Sequence, residues 1–199
     1  MPLRLDVRRQ MGTASLLLLS VLAGCAGHTY TYVDHVQSGQ ILDRPLYTVV
    51  VPAVSVFSTY PGKDVSWERY SRDGAPNDLV LKEGYAHSSY AASVEVTDRL
   101  QNVRNMDELK TYVSRVRKRA NPVEAKRSQE QLLCVRPDVQ IDREGDKPAF
   151  FMHTMHCLDQ KSGRYYELAL SLMTRRRDWF PAVDLEQGAV HLFKSFRVK

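Results

Sequence analysis

The sequence contains no G-x-S-x-G, S-x-x-K or H-E-x-x-H segment, no P-loop and no glycine fingerprint for a dinucleotide, so the short motifs that carry nucleophilic, zinc-dependent or nucleotide chemistry are missing. It has only three cysteines and no C-x-x-C, which argues against a redox-active pair. Glycine and proline together fill 19 of 199 positions, too few for a collagen-like or low-complexity chain. With 43% hydrophobic residues against 26% charged, wholesale disorder is excluded as well. The formal charge of +5 is spread thinly, its 23 acids interspersed among 28 bases, so it implies no nucleic-acid role. At this length the chain holds one ordinary domain and not two.

The most informative stretch is the N-terminus. Arg4, Arg8 and Arg9 form a basic region ahead of Ala14 to Leu22, an apolar run of nine residues that Ser15 and Ser20 barely interrupt. A bilayer-spanning helix needs roughly 20 such residues, so the pattern is a secretory signal and not an anchor. It ends in Leu22-Ala23-Gly24-Cys25, which resembles the lipobox of bacterial lipoproteins: a branched apolar residue, two small residues and the cysteine that is lipidated. The plainer alternative is an ordinary signal peptide followed by a chance cysteine, since small-residue cleavage sites do not require one. The resemblance implies cleavage before Cys25, a diacylglycerol on its thiol and an acyl group, such as palmitate, on its new amino terminus. Each buried methylene contributes about 0.8 kcal/mol, so three chains hold a protein to a membrane almost permanently. Ala26, and not Asp, follows the cysteine; in Gram-negative lipoproteins this implies transport to the outer membrane, facing the periplasm. Loss of the 24-residue leader removes three arginines and one aspartate, leaving 175 residues with a net charge of +3.

Cys134 and Cys157 remain, an even pair in an oxidising compartment where disulfides form and persist. A bond between them closes a loop of about 24 residues and stabilises the fold by roughly 3 kcal/mol on the chain-entropy argument. The competing arrangement is two buried thiols that never meet. The turn-forming stretch from Asp142 to Pro148 separates two predicted strands of nearly equal arm length about Gly145, which sets position 134 opposite a residue near 156 to 158.

Along the mature chain, residues 25–45 read as the lipidated cysteine and a flexible linker, because Gly, Ser, His, Gln, Asp and Thr there show little apolar periodicity. Residues 46–199 form the single domain. Leu46 to Val51, Val65 to Tyr70, Leu79 to Ala86 and Ala91 to Thr97 are predicted strands, the middle two joined as a hairpin through Arg72 to Asp78. Asn105 with Glu108 approximates a capping box, and Leu109, Tyr112, Val113 and Val116 fall on one face of a helix from about Met106 to Ala120. Its other face carries Lys110, Arg117 and Lys118, with Arg115 and Arg119 close by. Gln131 to Ile141, Ala149 to Leu158 and Arg164 to Thr174 read as an antiparallel meander. In the last of these, Leu168, Leu170 and Leu172 fall on one face and Glu167, Ala169 and Ser171 on the other, predicting a half-covered sheet. Val183 to Phe196 has apolar residues near helical spacing and predicts a closing helix with a short basic tail.

The predicted class is therefore α+β, an antiparallel sheet covered by helices. The order of elements, with a middle helix introduced by Asp107-Glu108-Leu109-Lys110 and a C-terminal helix that finishes in Ser195-Phe196-Arg197, resembles the Mog1/PsbP-like α/β/α sandwich. The resemblance covers about residues 46 to 199 and implies a binding or accessory module, with no catalytic residue to carry over.

Two clusters invite a chemical reading. His153-Thr154-Met155-His156-Cys157 is dense in soft ligands, but on a strand the two histidines point to opposite faces and Cys157 is claimed by the expected disulfide. No metal and no cofactor is expected. Arg175, Arg176 and Arg177 precede Trp179 and Phe180, and guanidinium forks beside aromatic rings grip phosphate, acidic glycan or a partner protein. The alternative is a solvated loop whose aromatics plug the core. Together with Arg115 and Lys118 these arginines form one anionic-ligand or partner surface only if the fold brings them together.

The expected function is an outer-membrane-anchored lipoprotein whose periplasmic domain engages an envelope protein or glycan without catalysis. A small-ligand carrier, holding an apolar or anionic molecule between the helices and the sheet, is the alternative. A cell-envelope hydrolase ranks last, and depends on a cleft that sets His153, His87 or Glu167 within hydrogen-bond reach of one another.

Overall fold

The computed structural model describes residues 29–53, 66–85, 88–100, 103–117, 121–126, 129–142, 148–174 and 182–199. The predicted signal segment, Cys25, His87, Lys118 and the run of arginines from 175 to 177 lie outside the described residues. In chain order the elements are β1 (Tyr30–Gln37), β2 (Ile41–Asp43), β3 (Tyr47–Val50), β4 (Ser66–Arg72), β5 (Ala75–Tyr85), β6 (Ser88–Thr97), α1 (Met106–Val116), β7 (Val123–Glu124), β8 (Leu132–Arg136), β9 (Gln140–Asp142), β10 (Ala149–Asp159), β11 (Tyr165–Thr174), α2 (Ala182–Ser195) and β12 (Arg197–Val198). They make an α+β domain. One large antiparallel sheet runs in the order β1-β4-β5-β6-β11-β10-β8-β7, with β9 paired to β10, and a small second sheet runs β12-β3-β2.

Alternation on β11 sets the main core. Leu168, Leu170 and Leu172 are fully buried together with their cross-strand neighbours Val94, Ala92 and Tyr90 on β6. On this face lie Leu185, Ala189, Leu192, Phe193 and Phe196, all buried, which bear out the helical spacing read for the C-terminus. The small sheet completes the cover: Tyr47 packs edge-on against Tyr166 and tilted against Phe196, and Val49 and Val198 are buried beside them. Ser195 ties helix to strand, its hydroxyl accepting the Val50 N–H at 3.0 Å and donating to the Leu192 carbonyl at 2.8 Å.

On the opposite face α1 presses Leu109 and Val113 onto Leu133, Val135, Leu158 and Tyr165. Its start is capped as predicted: the Asn105 side chain accepts the Glu108 N–H at 2.9 Å, while the Glu108 carboxylate accepts the Arg104 N–H at 2.6 Å. Val116, expected on the apolar face, is exposed, because α1 ends there and Arg117 has left the helical conformation.

Three expectations need correction. Residues 25–45 are not a linker throughout, since Tyr30–Gln37 pairs with β4 and Ile41–Asp43 pairs with β3. β1 is an edge strand in which only Val36 is fully buried, so it shows no alternation; its pairing rests on backbone bonds and on Arg69, whose guanidinium grips Asp34 at 2.6 and 2.8 Å. The predicted strand from Gln131 to Ile141 is two strands. Pairing shifts by one residue between Arg136 and Gln140, where Pro137 has no N–H to give. Finally, the sheet is not bare on its second face. Ala169 and Ser171 are buried, as short side chains in rows such as Met152–Ser171–Ala91–Lys82, whose ends stand taller.

Candidate binding site

The cysteine pair lies where the strand arms predicted. Cys134 on β8 and Cys157 on β10 are direct cross-strand partners with Cα atoms 4.2 Å apart and sulfurs 2.08 Å apart, a bonded pair buried on the α2 face of the sheet. The one-residue shift between β8 and β9 falls on the turn side of this pair, so it leaves both sulfurs on the same face.

The two histidines of the β10 cluster separate as strand geometry requires. His153 pairs with Leu170 on the α2 face, where burial and the nearby Arg136 guanidinium lower its pKa. His156 pairs with Glu167 on the α1 face and is wholly buried. One of its ring nitrogens is 2.6 Å from the Tyr165 hydroxyl and the other 3.1 Å from the Thr154 hydroxyl, so a neutral ring, donating once and accepting once, is satisfied. Burial first, and the Arg117 charge second, push the His156 pKa down to about 3. The Glu167 carboxylate accepts from Arg117 and is 3.6 Å from His156, yet burial outweighs that guanidinium and raises its pKa. The arrangement seats the end of α1 on the sheet. It leaves no solvent-facing acid or base at His156, and His153 and Glu167 stand on opposite faces, so they do not meet.

Arg115 is exposed, its guanidinium 5.8 Å from the centre of the Tyr112 ring, in the last turn of α1. Arg117, expected beside it on the basic face, turns inward to Glu167. With Lys118 and Arg175 to Arg177 outside the described residues, Arg115 is the one described member of the predicted anionic surface.

A cavity of about 520 Å³ opens at one end of the large sheet, lined by Arg99, Leu100, Val103, Arg104, Leu158, Asp159, Gln160 and Gly163. Two segments build it. The first leaves β6 at Thr97 and is tied across by the Leu100 N–H to the Gly163 carbonyl at 3.4 Å before Asn105 starts α1. The second is the β10–β11 turn, where Gly163 takes a φ of +76°, a conformation that other residues rarely adopt. Asp159 is held within that turn. Its carboxylate, nearly fully buried, accepts the Lys161 and Ser162 N–H groups at 3.1 and 3.3 Å and the Ser162 hydroxyl. Asp98 is 3.6 Å from the Arg164 guanidinium. Arg99 and Arg104, both exposed, have no ion-pair partner among the described residues. The result is a concave site with Val103 and Leu158 buried beneath and, among the described residues, two guanidinium groups without an ion-pair partner, suited to an anion with an adjoining apolar part. Neither arginine stands out in the sequence, because each is a lone base in a polar connection and only the fold gathers them.

No protein-family model, no curated protein and no solved structure matches the chain.

Proposed function

We propose that the protein is a bacterial lipoprotein anchored in the outer membrane through Cys25, with a periplasmic domain that binds an envelope partner and performs no catalysis. The observation that carries this reading is the bonded Cys134–Cys157 pair, which suits an oxidising compartment and agrees with the signal segment and Leu22-Ala23-Gly24-Cys25. In support of a Mog1/PsbP-like arrangement stand the β4–β5 hairpin before α1, the strands β8, β10 and β11 after it, and a closing α2 that ends at Ser195-Phe196. The carrier reading is favoured less, because the described seams between helix and sheet are filled by side chains and the cavity lies at the sheet end instead.

Radiolabelled palmitate is expected to enter the full-length protein and to be absent from Cys25→Ser; label retained by the variant refutes anchoring at this residue. Cross-linking in cells is then expected to recover a defined envelope protein or glycan with wild type and not with the Cys25→Ser chain. A purified domain that turns over a substrate while capturing nothing overturns the non-enzymatic part.

A further inference from the structure

We infer that the cavity at the sheet end is a docking site for the phosphate headgroup of an anionic phospholipid in the membrane that holds the protein. The inference rests on the lipid-anchor reading above and adds a second, headgroup-specific contact to it. Four residues separate Cys25 from Tyr30, where β1 begins, so the anchor lies within about 17 Å of the sheet. The pairing then says which end of the sheet that is. Tyr30 pairs with Arg72 beside the β4–β5 turn, and Arg72 reaches Glu95 on β6 at 3.4 Å. Two residues beyond Glu95, Thr97 pairs with Tyr165, which in turn pairs with Leu158 at the cavity floor. The start of β1 and the cavity therefore share one end of the sheet, three spacings apart at β6 and five at Leu158 on β10, roughly 15 to 25 Å at about 4.8 Å per strand.

The chemistry at that end fits a headgroup. Among the described residues Arg99 and Arg104 offer two guanidinium forks without an ion-pair partner, while of the neighbouring acids Asp98 lies beside Arg164, Asp159 is held by the turn and Glu108 accepts the Arg104 N–H. Leu100, half-buried, is the apolar side chain there against which the glycerol can lie, with Val103 and Leu158 buried beneath. A zwitterionic choline headgroup fits less well, since its ammonium meets the same guanidinium charge. No bond is made or broken.

The test uses the processed full-length lipoprotein in maltoside micelles, titrated with short-chain phosphatidylglycerol, short-chain phosphatidylcholine or inorganic phosphate and followed by amide NMR. Phosphatidylglycerol is expected to shift the Leu100, Val103, Gln160 and Gly163 amides saturably, with phosphatidylcholine much weaker. The Arg99→Gln/Arg104→Gln variant is expected to lose about 30-fold in affinity, from about 1 kcal/mol for each arginine near an anionic lipid. Equal response to phosphatidylcholine, no response at these amides, or unchanged affinity in the double variant overturns the site. Saturation by inorganic phosphate at the same affinity overturns the lipid assignment and makes it a free-anion site. The mass of the same sample reports whether Cys25 is acylated, so failure of the anchor is read separately from failure of the cavity.

Discussion

Reduction of the Cys134–Cys157 bond changes no side-chain volume in the sequence, and so isolates what the crosslink does for the fold. The two cysteines are 23 positions apart and face each other across adjacent strands. Closing a loop of this length in the unfolded chain removes entropy equivalent to about 3.4 kcal/mol at 25 °C. For a domain of this size each kcal/mol moves the melting temperature by about 2 to 4 °C, so reduction is expected to lower it by about 7 to 14 °C. Both cysteines are buried, at 1% and 0% exposure, so the reduced form has to be prepared in denaturant and refolded under reductant. Thermal unfolding of oxidised and reduced protein, followed by circular dichroism at one pH, measures the difference. Melting temperatures that agree within a degree or two, with reduction verified by mass, refute the loop-entropy reasoning. Two freely alkylatable thiols in unreduced, denatured protein refute the bond itself and the register that aligns β8 with β10.

His156 is neutral in the fold with a pKa near 3, and it takes a proton in the unfolded chain below about 6.5. Its contribution to stability is therefore complete above that pH and falls as the pH drops, by about 2 kcal/mol between pH 8 and pH 5. Chemical denaturation across this range is expected to give a shallower pH slope for His156→Gln than for wild type; an unchanged slope contradicts a buried neutral ring. Glu167 shifts the other way, since its raised pKa favours the fold as the pH falls, so the His156 comparison is made as a difference between variants. Arg117→Ala strands the Glu167 carboxylate beside Glu95, its cross-strand neighbour, and is expected to cost about 3 kcal/mol, part of which returns when Glu167→Gln is added. Strict additivity of the two changes in denaturant titrations means that the pair does not interact.

Much of the fold is legible because alternation and helical spacing survive wherever an element is buried on one defined face. Leu168, Leu170 and Leu172 announce β11, Leu185 to Phe196 announce α2, and the near-equal arms about Gly145 place Cys134 opposite Cys157. Where stability comes from the backbone ladder instead, side chains carry no such pattern. Hence β1, with one fully buried residue, reads as a linker, and the break at Pro137 between β8 and β9 is lost inside an otherwise continuous β-rich stretch.

The sequence by itself determined the α+β class, the helix cap at Asn105 and the separation of His153 from His156, all of which follow from local order and from periods of two and 3.6 residues. Only the tertiary structure decided that Arg117 turns inward to the carboxylate of Glu167, 50 positions away. The same is true of the cavity that joins Arg99 and Arg104 to the floor at Leu158 and to the turn at Gly163. Those contacts depend on strand order and on which sheet ends coincide, and pairing across a sheet is set by the burial of whole faces, a property that no single segment carries.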